Sequence, residues 1–282
     1  MSGRLMSLVV ATAAAVAVVA VGLTPFFPTA PTYAATPPLL DVSPVSQPRE
    51  ELLLDLSQKA MRDAESPTPD PGVTKISAQA WSLVVMSDGE RQTANVVNLD
   101  YDITVQPDGA VHQVVTAGPS VDADDRPVTE GVPAPGELMS EEEWSAGSPE
   151  LRFTEPLPPE SDQLPAYFAE AYETAELPDA ALIITSVAEL MRQRQLSPAE
   201  EATVLEYFAR DADLTVVGAV TDRLGRDAIA FSAVHEEDSS YEEYLLVAPD
   251  SGRILAVETH YIARGRTDIP SPSVTGYFAW RR

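Results

Sequence analysis

The chain of 282 residues sets 18 Lys and Arg against 44 Asp and Glu, a formal net charge of −26, and contains no cysteine. A surface of that sign repels polyanions, which excludes general nucleic-acid binding, and the lack of thiols excludes disulfides, thiolate nucleophiles, zinc–thiolate sites and a lipidated N-terminal cysteine. Apolar residues make up 44% of the chain, enough to bury a sizeable core.

Residues 1–34 read as an export signal or a membrane anchor. Arg4 precedes an uncharged stretch from Leu5 to Leu23, prolines at 25, 28 and 31 break any helix, and Thr32-Tyr33-Ala34 offers the small residues of a cleavage site. The stretch is also close to the ~20 residues that span a bilayer. The rest is therefore expected to be extracytoplasmic, either secreted or anchored through residues 5–23. Membrane contact is expected through that segment only, because an acidic domain is repelled by anionic head groups.

Residues 35–48, with four prolines, read as a stiff linker. Residues 49–64 form a helix: Pro48 suits its start, Glu50 and Glu51 its first turn, and Leu52, Leu53, Leu56 and Ala60 line one face. Pro67, Pro69 and Pro71 stop it. About four antiparallel strands follow, over 75–86, 90–97, 99–106 and 110–117, turned at Ser87-Asp88-Gly89 and Pro107-Asp108-Gly109. An acidic, Pro- and Gly-rich loop occupies 118–150, with one short helix expected where Ser140 caps Glu141 to Trp144.

Residues 161–210 carry helices over 162–175, 179–195 and from the capping box Ser197-Pro198-Ala199-Glu200 onward. Strands return over 214–220, 226–235, 241–248 and 253–263, and the tail 264–282 offers an edge strand at Val274 to Trp280. Strands joined by tight turns are antiparallel, and grouped helices make the class α+β. Residues 49–263 are read as one domain whose two strand blocks share a sheet, because four short strands alone have little core.

No nucleophile elbow, Walker loop, G-x-G-x-x-G or H-E-x-x-H occurs. His112, His235 and His260 are scattered over separate strands, and Asp122-Ala123-Asp124-Asp125 departs from a calcium loop at Arg126. No catalytic residue, metal site or cofactor is expected. The aromatic and aliphatic residues Trp81, Leu83, Val85, Tyr101, Ile103, Val105, Leu255, Val257 and Tyr261 alternate along strands. They either form plain core beneath the helices or line an apolar concave face that takes a ligand.

Several stretches together carry a resemblance: Glu51-Leu52-Leu53-Leu54, Ala80-Trp81-Ser82-Leu83, Leu196-Ser197-Pro198, Val220-Thr221-Asp222 with Leu224-Gly225-Arg226, and Tyr244-Leu245-Leu246 before Pro249-Asp250-Ser251-Gly252-Arg253. Their order over residues 50–262 resembles an uncharacterised family of actinobacterial exported or membrane-anchored proteins, similar in fold to the LolA and RseB half-barrels. The resemblance implies a curved antiparallel sheet wrapped around helices, and no catalytic residues. Only three residues precede Arg4, so no counterpart of the cytoplasmic sigma-factor-binding segment of some members is expected, and direct sigma-factor control is not expected either. The expected function is a non-enzymatic binding or sensing module for a lipid or the acyl chain of a lipoprotein. The alternatives are a protein-interaction component of an envelope complex and a carboxylate-dependent hydrolase of cell-wall glycan using the acidic loop.

Overall fold

The computed structural model describes residues 36–64, 73–87, 92–122, 126–153, 155–210, 212–266 and 269–282. The apolar stretch 5–23, the prolines at 67, 69 and 71, the turn at Asp88-Gly89 and the acidic residues 123–125 lie outside them. Among the described residues no helix is long and apolar enough to cross a membrane.

Helix α1 spans Arg49–Ala64. Three long strands follow: β1 (Thr74–Ser87), β2 (Gln92–Val105) and β3 (Val111–Val121). Residues 90–97 and 99–106, expected as separate strands, are one. That strand stays in unbroken register with β1, and the irregularity against β3 is taken up by β3, where three residue steps from Ala117 to Ser120 oppose two from Leu99 to Val97. Two short strands, β4 (Pro127–Val128) and β5 (Leu138–Trp144), come next. The short helix expected at Ser140 is therefore a strand. A single helical turn has a costly nucleus, whereas the open edge of β3 offers a ready hydrogen-bonding ladder.

Helices α2 (Leu164–Ala171), α3 (Ala180–Gln193) and α4 (Pro198–Arg210) fill the middle of the chain. The Asp179 side chain caps α3 by accepting from Leu182 N at 2.7 Å. At α4 the capping box closes both ways: Ser197 Oγ accepts from Glu200 N (3.2 Å) and Glu200 Oε2 accepts from Ser197 N (2.9 Å). Strands β6 (Thr215–Thr221), β7 (Asp227–Val234), β8 (Tyr241–Val247), β9 (Ile254–Tyr261) and β10 (Ser273–Arg281) complete the chain.

The ten strands of the described residues belong to one open, curved antiparallel sheet in the order β4-β3-β2-β1-β10-β9-β8-β7-β6, with β5 on the outer edge of β3. The class read from the sequence, α+β with an antiparallel sheet packed around helices, is the one observed. The tail is not an edge strand. It forms β10, which sits between β1 and β9 and joins the two strand blocks. Its composition suits a central position: Val274, Phe278, Ala279 and Trp280 are buried.

One face of the sheet meets the helices. Ile76, Ile103, Phe231, Leu245, Val257, Phe278 and Trp280 pack there against Leu53, Leu56, Phe168, Ile184, Val187, Leu190, Val204 and Phe208. Helix α3 lies over β7, β8 and β9, and α1 lies along α4, where Ser57 Oγ donates to Ala202 O at 3.0 Å. The turn between β8 and β9 touches α1 at Gly252, whose φ is +69°. A Cβ there would stand 2.0 Å from Leu56 O, so glycine alone fits this crossing.

Candidate functional site

Between the helices and the sheet the described core residues are buried against one another, and a groove lies on the opposite face. There residues 36–45 do not act as a free spacer but run as a strap across the outer face of the sheet. Ser43 N donates to Ala219 O and Ala219 N to Ser43 O, both at 2.8 Å, which bridges the strap to β6. The bridge sits over Gly218, where a Cβ would come within 2.4 Å of Ser43 O. Further along, Arg223 Nη1 donates to Pro38 O at 2.7 Å.

Beneath the strap is a groove of about 680 Å³. Its floor is built by Gln79 of β1, Val96 and Asn98 of β2, Val121 of β3 and Tyr277 of β10, its roof by Thr36 to Asp41, and one end by Thr221, Asp222 and Arg223. Leu40 packs into the apolar cluster of Trp81, Val96, Val220, Leu246, Leu255 and Tyr277. The polar side is ordered by the Tyr277 hydroxyl, which donates toward Asn98 Oδ1 (3.1 Å) and Gln79 Oε1 (3.2 Å). Burial pushes the Tyr277 phenol pKa well above its ordinary value, so it stays a neutral donor at physiological pH.

Behind the groove wall lies a buried charge cluster. Arg223 holds the fully buried Glu258 with two hydrogen bonds, Nε to Oε1 at 2.7 Å and Nη2 to Oε2 at 2.9 Å. His260 Nε2 lies 3.0 Å from the same carboxylate, and Tyr244 stacks on the imidazole with ring centroids 4.0 Å apart. Burial alone would raise the Glu258 carboxyl, but hydrogen bonds from His260 and Arg223 outweigh it and hold its pKa below the ordinary 4.5. The carboxylate is sealed from solvent, so the cluster anchors Arg223 and thereby the strap. The other histidines also meet carboxylates: His112 lies 2.9 Å from Glu141, and His235 lies 3.2 Å from Glu243. Among the described residues no group of three or more His, Asp or Glu is placed to hold a metal ion.

The nine residues read from the sequence as a possible ligand-lining set do not share a surface. Ile103 and Val257 are buried in the core beneath the helices, and Tyr101 and Val105 pack against it. Trp81 and Leu255 lie on the opposite face, in the cluster that receives Leu40. The hairpin register explains the split: Trp81 pairs with Asn98 and Ala78 with Tyr101, so the alternating apolar positions of β1 and β2 point to opposite faces. In β9 a bulge against β8 separates Leu255 from Val257. Leu83 and Val85 stand in β1 opposite Val96 and Ala94, and their side chains are outside the described residues. Tyr261 packs edge-to-face on Tyr241, centroids 5.6 Å apart, and its hydroxyl accepts from Arg266 N.

Sequence reasoning missed Gln79, Asn98, Arg223, Tyr277 and the strap. One available signal was the alternation Ser77, Gln79, Trp81, a half-polar face inside an apolar strand.

No protein-family profile matches the chain, and no curated protein matches it. Among solved structures it is similar to a DUF1329 family protein from Desulfovibrio piger, with 9% identity over 84% of this chain and 92% of that one, at a TM-score of 0.23. It is similar also to the MucA/MucB complex of Pseudomonas aeruginosa, with 14% identity over 80% of this chain and 55% of the other, at 0.22. A third likeness is to an outer membrane lipoprotein-sorting protein domain from Vibrio parahaemolyticus, with 8% identity over 83% and 92%, at 0.20.

Proposed function

We propose that this protein is a non-enzymatic extracytoplasmic binding or sensing module that holds a lipid, or the acyl chain of a lipoprotein, in the groove beneath the strap. The observation that carries the reading is the groove itself. Its volume of about 680 Å³ falls within the range of small-molecule sites, and it is two-sided in chemistry. Leu40, Val96 and Val121 offer an apolar wall to a chain, while the amides of Gln79 and Asn98 and the Tyr277 hydroxyl offer hydrogen bonds to an ester or head group. An amphipathic ligand satisfies both sides, whereas a purely polar one leaves the apolar wall wet.

The test is to purify the full chain from its producing cells, extract it with organic solvent, and identify what is released by mass spectrometry. Val96→Trp, which fills the groove floor, serves as the comparison. A lipid recovered from the native chain and lost from the variant supports the reading. Recovery of no lipid, together with no thermal stabilisation by added lipids, overturns it.

A further inference from the structure

The two edges of the sheet are finished differently. β6 is bridged by the strap through Ser43 and Ala219, whereas among the described residues no backbone group pairs with the outer edge of β5. Which groups are left over follows from the β2–β3 hairpin. Gln106 N donates to Ala110 O at 2.8 Å, so the backbone of Ala110 faces β2, and alternation turns Val111, Gln113 and Val115 toward β5. Their partners Trp144, Glu142 and Ser140 face back into the ladder. The N–H and C=O of Glu141 and Glu143 therefore point outward, where an added strand can pair with them.

We propose that this edge docks an extended, basic segment of a partner protein by strand addition, at a site separate from the groove. An incoming strand would lie beside Glu141, Glu142 and Glu143, all exposed, whose carboxylates alternate between the two faces of the sheet. Lys or Arg set opposite them is attracted, and acidic residues are repelled. Leu138 and Met139, 56% and 40% exposed at the start of β5, add apolar contact for the same segment. The occupant is not a second copy of this chain. Two such edges would set the same glutamates against each other on molecules that each carry a formal charge of −26.

The probe is a short fluorescein-labelled peptide alternating lysine and threonine, titrated against the full chain, with a glutamate–threonine peptide as control. At saturation the amides of Glu141 and Glu143 exchange about tenfold more slowly with solvent, while that of Glu142, already in the β3 ladder, changes little. Glu143→Pro removes only an outward N–H and weakens binding about tenfold. Glu143→Lys keeps that N–H, reverses the charge and weakens binding as well, and added salt weakens binding to the native chain. Four results overturn the proposal: native affinity in Glu143→Pro, peptide binding without protection at Glu141 and Glu143, equal binding of the acidic peptide, or protection that instead tracks dimerisation of the chain. If Glu143→Pro does not fold, the exchange pattern of the native chain decides alone.

Discussion

At Arg223 one guanidinium ties the strap to the sheet, because its Nε and Nη2 hold the buried Glu258 while its Nη1 donates to Pro38 O. Replacing it with methionine leaves a buried carboxylate with His260 as its remaining partner. Removing one member of such a pair typically costs about 3–5 kcal/mol, and the surviving His260 contact places Arg223→Met near the lower end. The penalty is a penalty for charge, so it depends on pH. The Glu258 pKa is depressed in the folded protein, so its contribution is present above the unfolded value near 4.5 and is lost as pH falls through the folded value. The stability gap between the native chain and Arg223→Met, measured by denaturant titration, is therefore expected to be full at pH 7 and to shrink on acidification below 4.5. A gap independent of pH would show that Arg223 acts through packing and not through Glu258. The sequence holds no sign of this pair, because Arg223 sits in an ordinary hairpin turn and Glu258 lies 35 residues away.

Among the elements, α4 was legible in full and β5 was not, for the same physical reason. Ser197-Pro198-Ala199-Glu200 carries its own instructions: a cap, a proline at the first helical position and a reciprocal carboxylate, all within one turn. Glu200 is engaged further by Arg194 Nη2 at 2.7 Å and Leu157 N at 3.0 Å, which ties the cap to the preceding segment. Ser197→Ala is expected to cost about 1 kcal/mol in a thermal or denaturant melt. No change in stability would show that the helix holds without its cap. Ser140 offers the same first residue without a helix to follow, and its conformation is decided by a partner distant in sequence, Val115 of β3. Local patterns fix elements that complete themselves locally. They fail where a free edge elsewhere in the fold completes them.

For the molecule as a whole, the strand directions and the pairing of the two blocks in one sheet were legible from turn spacing and from the need of each block for cover. The strand that joins them was not. Val274 to Trp280 is a short apolar run at the end of the chain, and nothing local distinguishes an edge position from a central one. The site was hidden more deeply still. A period-two pattern gives the face of each residue only relative to its own strand, and the pairing of Trp81 with Asn98 assigned the two strands' apolar sets to opposite faces. The proline-rich strap likewise had no pattern to show that it would fold back over the sheet. The central place of β10 has a direct consequence. Deleting residues 269–282 removes two ladders and the buried Phe278 and Trp280 at once, each worth about 1.5–3 kcal/mol in burial alone, and is expected to abolish cooperative melting. Residues 49–120 expressed alone, lacking both β10 and the later helices, are expected not to melt cooperatively either. A cooperative transition in that fragment would mean that the first block folds independently.

The proposed acyl chain has two candidate places among the described residues: the groove under the strap and the packed seam between helices and sheet. A lipid carrying a photoreactive group at the end of its acyl chain separates them when it is cross-linked to the full chain and the labelled peptides are mapped. A chain held in the groove places labels in the strap, residues 36–41, and on the groove floor around Val96 and Val121, with labelling reduced in Val96→Trp. Labels confined to α2, α3 and the residues they cover, such as Ile103 and Phe278, would contradict binding in the groove.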